Sequence, residues 1–397
     1  MTSRPTTLST PPVTRSYLDW NASAPLRPEA RAALLEALDR FGNPSSIHAE
    51  GREARALVDG ARDAVAAFLG CRPSEVVFTS GGTEANALAL RSLARSAAHR
   101  SFAAARVEHP SVLRTLEHME AQGWTACWLP VDPEGRVGVG GISGPLGFGT
   151  LQAANHETGT IQPVGEFAEA MARAGAAWHC DAVQAWGRLD LRAADLGCAT
   201  ASLSGHKLGA PKGVGALYVR DGTELEPLLR GGGQERGRRA GTENVPGIAA
   251  LGAACQAALQ DRDADRRWVR GLTERIRAEV RRMAPLGRVN GPEDPDGRLP
   301  NTLNLSFPGV EGETLVQALD LEGVAVSAGS ACTSGATEPS PVLQAMGLSA
   351  WRVKNAIRVS LGPATRPEDV DRFLSALATV LRRLGALGES DPGDRAG

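Results

Sequence analysis

Lysine is the scarce residue of this chain. Of its 43 basic side chains only Lys207, Lys212 and Lys354 are lysines, which leaves 40 arginines. A guanidinium stays protonated and cannot form a carbon–nitrogen double bond with an aldehyde, whereas a desolvated lysine amine can. Covalent amine chemistry therefore has three candidates. Two of them lie in SGHKLGAPKGVG, residues 204–215, where Ser204, His206 and Lys207 directly follow an apolar run and Lys212 sits beyond Pro211 in a glycine-rich turn. The stretch is not a phosphate-binding P-loop, because it lacks the glycine–lysine–serine/threonine ending. For either lysine alone a solvated surface amine is the simplest reading. Its place at the end of a strand favours Lys207.

Three other groupings could do chemistry. SGGTEAN, residues 80–86, puts Gly81 and Gly82 between a strand and a helix with Thr83 entering the helix. Open backbone N–H groups and the helix dipole suit such a junction to phosphate, although a turn capped by threonine explains the same residues. HCDAVQ, residues 179–184, ends an apolar strand on Asp181, where parallel sheets bind ligands and where a helix-capping aspartate is equally at home. His179 and Cys180 are adjacent and point to opposite strand faces, so they are no metal pair. SAGSACTSG, residues 327–335, presents Cys332 among small residues with no apolar wall. Most cysteines are buried and inert, but a thiol in this setting is a candidate nucleophile.

The elements that must carry these groups alternate. EVVFTS, FAAARV, TACWLP, GTLQAAN, AAWHCD, CATASLS and GVGALYVR read as strands, with TEANALALRSLARSA, SVLRTLEHMEAQ and VGEFAEAMARAG as helices between them. Strands alternating with helices of this length imply crossover connections and a mostly parallel sheet covered on both faces. An arginine-rich helix follows over about residues 245–283. NTLNLSF, GETLVQALDLEG, VAVSAGS, AIRVSLG and PEDVDRFLSALATVLRRL then suggest a smaller α+β unit. The expected division is a disordered leader (1–15), a large α/β domain (16–260), a small α+β domain carrying the Cys332 loop (261–387) and a disordered tail (388–397). The glycine-rich stretch over 135–150 argues against a helix there.

Composition narrows the function classes. The 43 basic and 45 acidic side chains leave a formal charge of −2, which argues against a protein that coats nucleic acid. The six cysteines are scattered without a C-x-x-C pair, which suggests neither a disulfide framework nor a zinc site and fits a reduced, cytoplasmic chain. The polar, proline-rich leader does not read as a secretory signal, and no apolar run suggests a membrane span. No G-x-G-x-x-G follows the first strand, which sets the dehydrogenase reading aside.

Taken in order, YLDWNASAP, FGNPSSIH, VFTSGGTEAN, VEHPSV, NHETG, HCDAVQAWG, SGHKLGAPKGVGALYV, GGGQERGRRAGTENV, SAGSACTSG and AIRVSLG resemble the pyridoxal-phosphate-dependent cysteine desulfurases of the NifS/IscS type, in the class V aminotransferase group. The resemblance spans nearly the whole chain. It implies the fold type I of pyridoxal-phosphate enzymes, with a mostly parallel seven-stranded sheet in the large domain. Lys207 would carry the cofactor and shuttle protons, Asp181 would pair with the pyridine nitrogen, and His109 would stack on the ring and act in proton transfer. Gln184 and Asn155 would lie near the phenolic oxygen. Gly82, Thr83, Ser204 and His206 would hold the phosphate, with Thr242 reaching the phosphate of a neighbouring subunit in a homodimer with shared sites. Arg358 would clamp the carboxylate of L-cysteine, and Asn155 would also face the substrate. Cys332 would take the sulfur as a persulfide, leaving L-alanine, and pass it to an iron–sulfur scaffold or another acceptor protein. No metal takes part in catalysis on this reading, with Cys332 the residue to contact a nascent iron–sulfur cluster transiently. The competing readings are a selenocysteine lyase or other β-elimination enzyme and an inactive assembly scaffold.

Overall fold

The chain is seen in a computed structural model that describes residues 15–328 and 339–386. It begins with β1 (Ser16–Tyr17), α1 (Pro28–Leu38) and α2 (Ala49–Leu69). Next come β2 (Val76–Thr79), α3 (Gly82–Ser96), β3 (Ser101–Ala105), α4 (Pro110–Ala121), β4 (Thr125–Leu129), β5 (Phe148–Thr150), α5 (Val164–Arg173), β6 (Ala177–Asp181), β7 (Thr200–Ser204), β8 (Gly215–Val219) and α6 (Val245–Met283). The remainder is β9 (Arg288–Asn290), β10 (Thr302–Ser306), α7 (Gly312–Leu321), β11 (Val324–Ala325), β12 (Ser327–Ala328), α8 (Pro341–Ala345), α9 (Ala350–Lys354), β13 (Ala356–Ser360) and α10 (Pro367–Arg383).

Seven strands form one sheet in the order β2-β8-β7-β6-β5-β3-β4, and β8 alone runs against the others. Crossover helices cover its faces, so β2, β3, β7 and β8 are near-continuous small or apolar runs. The sheet and its helices bury one core that includes Phe78, Phe167, Trp178, Leu203 and Leu251. A four-stranded antiparallel sheet, β12-β13-β10-β9, and the parallel pair β1-β11 form the second unit, closed by α7 and α10 around Leu305, Phe307, Ile357 and Phe373.

Helix α6 belongs to both units. Ile248, Leu251, Ala254 and Ala258 enter the first core, and Val269, Leu272, Ile276 and Val280 enter the second. Its first half lies so close to α2 that a Cβ on Gly252 would stand 2.7 Å from Ala61 Cα. The expected boundary at residue 260 falls between its two buried stripes. Leu18, just after β1, is buried in the second core, and β1 pairs with β11 of that unit. The glycine-rich 135–150 stretch contains one short 3₁₀ turn, Val139–Gly141, and β5. The run GTLQAAN is in the sheet only to Thr150. Beyond it, Gln152 N–H donates to the Glu108 side chain at 2.7 Å, and Asn155 turns the chain back.

Candidate active site

The carboxyl ends of the parallel strands open onto a cavity of about 260 Å³, the edge at which open α/β sheets place their ligands. Asp181, the last residue of β6, and Ser204, the last of β7, face it. His206 and Lys207 reach it from the 3₁₀ turn that continues β7. Gly82 and Thr83 bring the start of α3, and His109 brings the start of α4. Gln184 lines it from the turn after β6, and Arg358 enters from β13 of the second unit. Nine residues named from the sequence thus share one cavity.

Asp181, Lys207, His109 and Gln184 are each held by specific bonds. Asp181 accepts from Asn86 Nδ2 at 2.8 Å and from Val183 N–H at 3.1 Å. Lys207 Nζ donates to the carbonyls of Asn21 at 2.6 Å and Ala22 at 2.9 Å. His109 is the N-cap of α4: its Nδ1 accepts Ser111 N–H at 3.1 Å and lies 2.8 Å from Ser111 Oγ. Gln184 Nε2 donates to Asn21 O at 3.1 Å, while its Oε1 accepts from Arg188. Helix α3 has no side-chain cap, and a Cβ on Gly82 would press on Val183 at 2.9 Å and approach Ser204 Cβ at 3.4 Å. The first turn of α3 therefore turns uncapped N–H groups toward Ser204 and His206.

Burial sets the charge states. It lowers the His109 pKa, with Asp181 opposing and Lys207 adding to the shift. It drives His156 well below the usual imidazole range, helped by His109 and Arg358, and pushes His206 down to about 4, with Lys207 and Lys212 contributing. These rings are neutral at physiological pH. Glu108, buried beneath the cavity, is pushed up to about 8 by burial, with Asp181 adding to it.

Arg358 is 2% exposed. Its guanidinium bonds Asp19 Oδ1 at 2.8 Å and His156 O at 3.0 Å, and its Nε finds no partner among the described residues. A buried guanidinium that lines a cavity wall is suited to an anionic ligand.

Two expected site residues stand apart from this cavity. Asn155 spends its amide on Val107 O, Glu157 N–H and Thr158 N–H, which folds the NHETG turn behind the cavity wall. Thr242 is solvent-exposed, and Cys332 lies outside the described residues. Sequence reasoning missed Asn21, Asn86, Gln152 and His156, which also line the cavity, and Arg188 behind Gln184. Asn21, Asn86 and His156 carried a signal, as members of quoted motifs. Among the described residues, no group of three or more histidine, cysteine, aspartate or glutamate side chains is arranged to hold a metal. No helix among them is long and apolar enough to cross a membrane.

Residues 16–373 match the family model described as aminotransferase class-V. A cysteine desulfurase of Cereibacter sphaeroides is 45% identical over 382 residues, covering 94% of this chain and 97% of the relative. Cysteine desulfurase NifS of Azotobacter vinelandii is 40% identical, covering 93% of each. The solved structure of a NifS-like protein superposes with a TM-score of 0.87 at 32% identity, over 93% of this chain and all of that one.

Proposed function

The chain belongs to the class-V aminotransferases and, within them, to the pyridoxal-phosphate-dependent cysteine desulfurases; on that premise we propose the roles of its residues and the route of the sulfur. The bound cofactor supplies an electron sink that loosens bonds at the α- and β-carbons of the substrate. The residues present fit such a group. The uncapped start of α3, with a cradle at Gly82 that a Cβ would fill, suits its phosphate, flanked by Thr83, Ser204 and His206. Asp181 at the end of β6 suits a protonated pyridine nitrogen. Lys207 would carry the cofactor through its amine and would hold the proton that moves at the substrate α-carbon, and His109 would cover the ring. Gln184, oriented by Arg188, has a second amide N–H to offer the phenolic oxygen, and Asn155 holds the nearby wall in shape.

Arg358 takes the carboxylate of L-cysteine on its guanidinium and excludes water on that side. Sulfur then passes to the Cys332 thiolate: a sulfur–sulfur bond forms as the bond from the β-carbon to sulfur breaks, and the carbon fragment takes up protons and leaves as alanine. Cysteine plus the Cys332 thiol gives alanine plus the Cys332 persulfide, balanced in atoms and electrons. The persulfide is delivered to an iron–sulfur scaffold or another acceptor protein.

The site is shared within a homodimer. Leu38, Phe41 and Ile47, close together in the chain from the end of α1 to just before α2, are 60%, 87% and 91% exposed, which a partner subunit would cover, and exposed Thr242 would reach a neighbouring phosphate. Sedimentation at twice the chain mass checks this. The five described cysteines are free thiols, which supports a reducing, cytoplasmic setting.

The observation that carries this reading is the convergence of Lys207, Asp181, His109 and the α3 start on one cavity closed by Arg358. The test is turnover of L-cysteine, with sulfide and alanine measured together and persulfide trapped on Cys332. Equal sulfide and alanine are expected, with the trapped adduct lost in Cys332→Ala while the cofactor stays bound. Pyruvate in place of alanine, or full sulfide release by Cys332→Ala, would reject the persulfide route.

A further inference from the structure

Beneath the cavity, buried polar side chains form a chain of hydrogen bonds whose direction is determined. Asn86, on α3, is 1% exposed and sits at its centre. Its Nδ2 lies 2.8 Å from Asp181 Oδ2 and 2.9 Å from Ser111 Oγ, and its Oδ1 lies 2.9 Å from His179 Nε2. His179 Nδ1 lies 2.9 Å from Thr200 Oγ1, and His109 Nδ1 lies 2.8 Å from Ser111 Oγ.

A carboxylate only accepts hydrogen bonds. Asn86 must therefore turn its amino group to Asp181, because the flipped amide would set carbonyl oxygen against carboxylate oxygen. The orientation of His179 follows from it, and that of Ser111 from the cap of α4. The second amino hydrogen goes to Ser111 Oγ, and the carbonyl is left to accept from His179 Nε2. His179, fully buried, then holds its proton on Nε2 and accepts from Thr200 at Nδ1. His109 Nδ1 accepts Ser111 N–H at 3.1 Å as the cap of α4 and so carries no proton; Ser111 Oγ, which accepts from Asn86, gives its own proton to that nitrogen, and the ring proton of His109 stands on Nε2.

We propose that Asn86 is a positioning residue that makes Asp181 and His109 one unit: it holds the Asp181 carboxylate directly and, through Ser111, keeps the His109 ring proton on Nε2. His109 thus meets cofactor and substrate as a hydrogen-bond donor at Nε2. Placing a proton on Nδ1 costs the Ser111 bond and the cap of α4, so the ring is oriented and kept in one tautomer by the same atoms. His179 and Thr200 supply the far end, which leaves the Asn86 carbonyl satisfied and its amide unable to turn.

This inference rests on the assignment of Asp181 and His109 to the cofactor, so its test has a reading that needs no cofactor. Nitrogen NMR of histidine-labelled protein near neutral pH, with His109 assigned through His109→Gln, reports which nitrogen carries the proton. It is recorded with and without pyridoxal phosphate, on the native protein, Asn86→Leu and Ser111→Ala. The native protein is expected to show His109 as the Nε2–H form alone, and both variants to add a second, Nδ1–H signal. Asn86→Leu is also expected to weaken pyridoxal phosphate binding about 10–100-fold, the effect of losing a hydrogen bond to a charged group, whereas Ser111→Ala leaves it within about threefold. A single Nε2–H signal in both variants overturns the proposal. Weaker binding in Asn86→Leu without a change of tautomer also overturns it, by reducing Asn86 to a support of Asp181. If Asn86→Leu does not fold, Ser111→Ala decides through the NMR signal. If no form binds pyridoxal phosphate, the cofactor assignment has failed and the cofactor-free spectra still decide the tautomer.

Discussion

The two units of this molecule hold their functional groups by different means. At the edge of the seven-stranded sheet, Asp181, Ser204 and Lys207 are delivered by strand ends, Thr83 and His109 by helix starts, and neutral neighbours such as Asn86 and Ser111 orient them. The four-stranded sheet delivers one cation from the middle of a strand, Arg358, and pins it with Asp19 and His156 O. The first arrangement spreads its support over many neutral bonds and tunes protons. The second concentrates recognition of charge in one side chain that also ties the units together. Damage to the first should therefore appear in the chemical step, and damage to the second in substrate affinity.

The largest effect is expected for Lys207→Ala. Losing the amine proposed to carry the cofactor and move the proton should lower cysteine turnover by at least about 10³-fold, with folding unchanged by circular dichroism; residual turnover within tenfold of the native protein would break the contrast at its strongest point. Arg358→Lys comes next. A point charge in place of the planar fork should raise KM for cysteine about 10–100-fold with a smaller change in kcat, and steady-state kinetics that showed the reverse split would move Arg358 into the chemical step. Arg188→Met should free the amide of Gln184, which keeps its bond to Asn21 O, and lower kcat about 3–10-fold, the size of one ordinary hydrogen bond loosened at the site, leaving KM nearly unchanged.

The smallest effect is on stability. Burial raises the Glu108 carboxyl to about 8, so between its ordinary range and that value the folded chain binds a proton that the unfolded chain has released. Stability from this group is present at low pH and is lost as pH rises toward 8. Glu108→Gln should thus melt near the native temperature at about pH 5 and a few degrees above it at about pH 8. A gap that narrows with rising pH would contradict the assigned charge state.

Periodicity made the crossover fold legible, because buried parallel strands are apolar runs and their helices carry a repeating apolar stripe. The 39-residue helix α6 was read at its full length. What escaped depends on partners far away in the chain. VAVSAGS reads as one strand, yet Val324–Ala325 pairs with β1 and Ser327–Ala328 with β13, because the chain changes sheets at Val326. At the site, Lys207 and Asp181 were legible because a lysine and a carboxylate at strand ends are rare and chemically pointed. Asn86 looks like any polar residue of a helix until Asp181, 95 positions later, meets it. Arg188 was one of 40 arginines, and only the fold sets it behind Gln184.

The central claim is that one amine of three is built into the cofactor site. Lys212 is solvent-exposed, Lys354 pairs with Glu311 at the surface at 2.7 Å, and Lys207 alone lines the cavity with Asp181 and His109. Borohydride reduction of the pyridoxal-phosphate-loaded protein, followed by peptide mapping, tests this most directly. The account predicts a reduced adduct on Lys207 and none on the other two lysines; an adduct on Lys212 or Lys354, or no adduct at all, would contradict it.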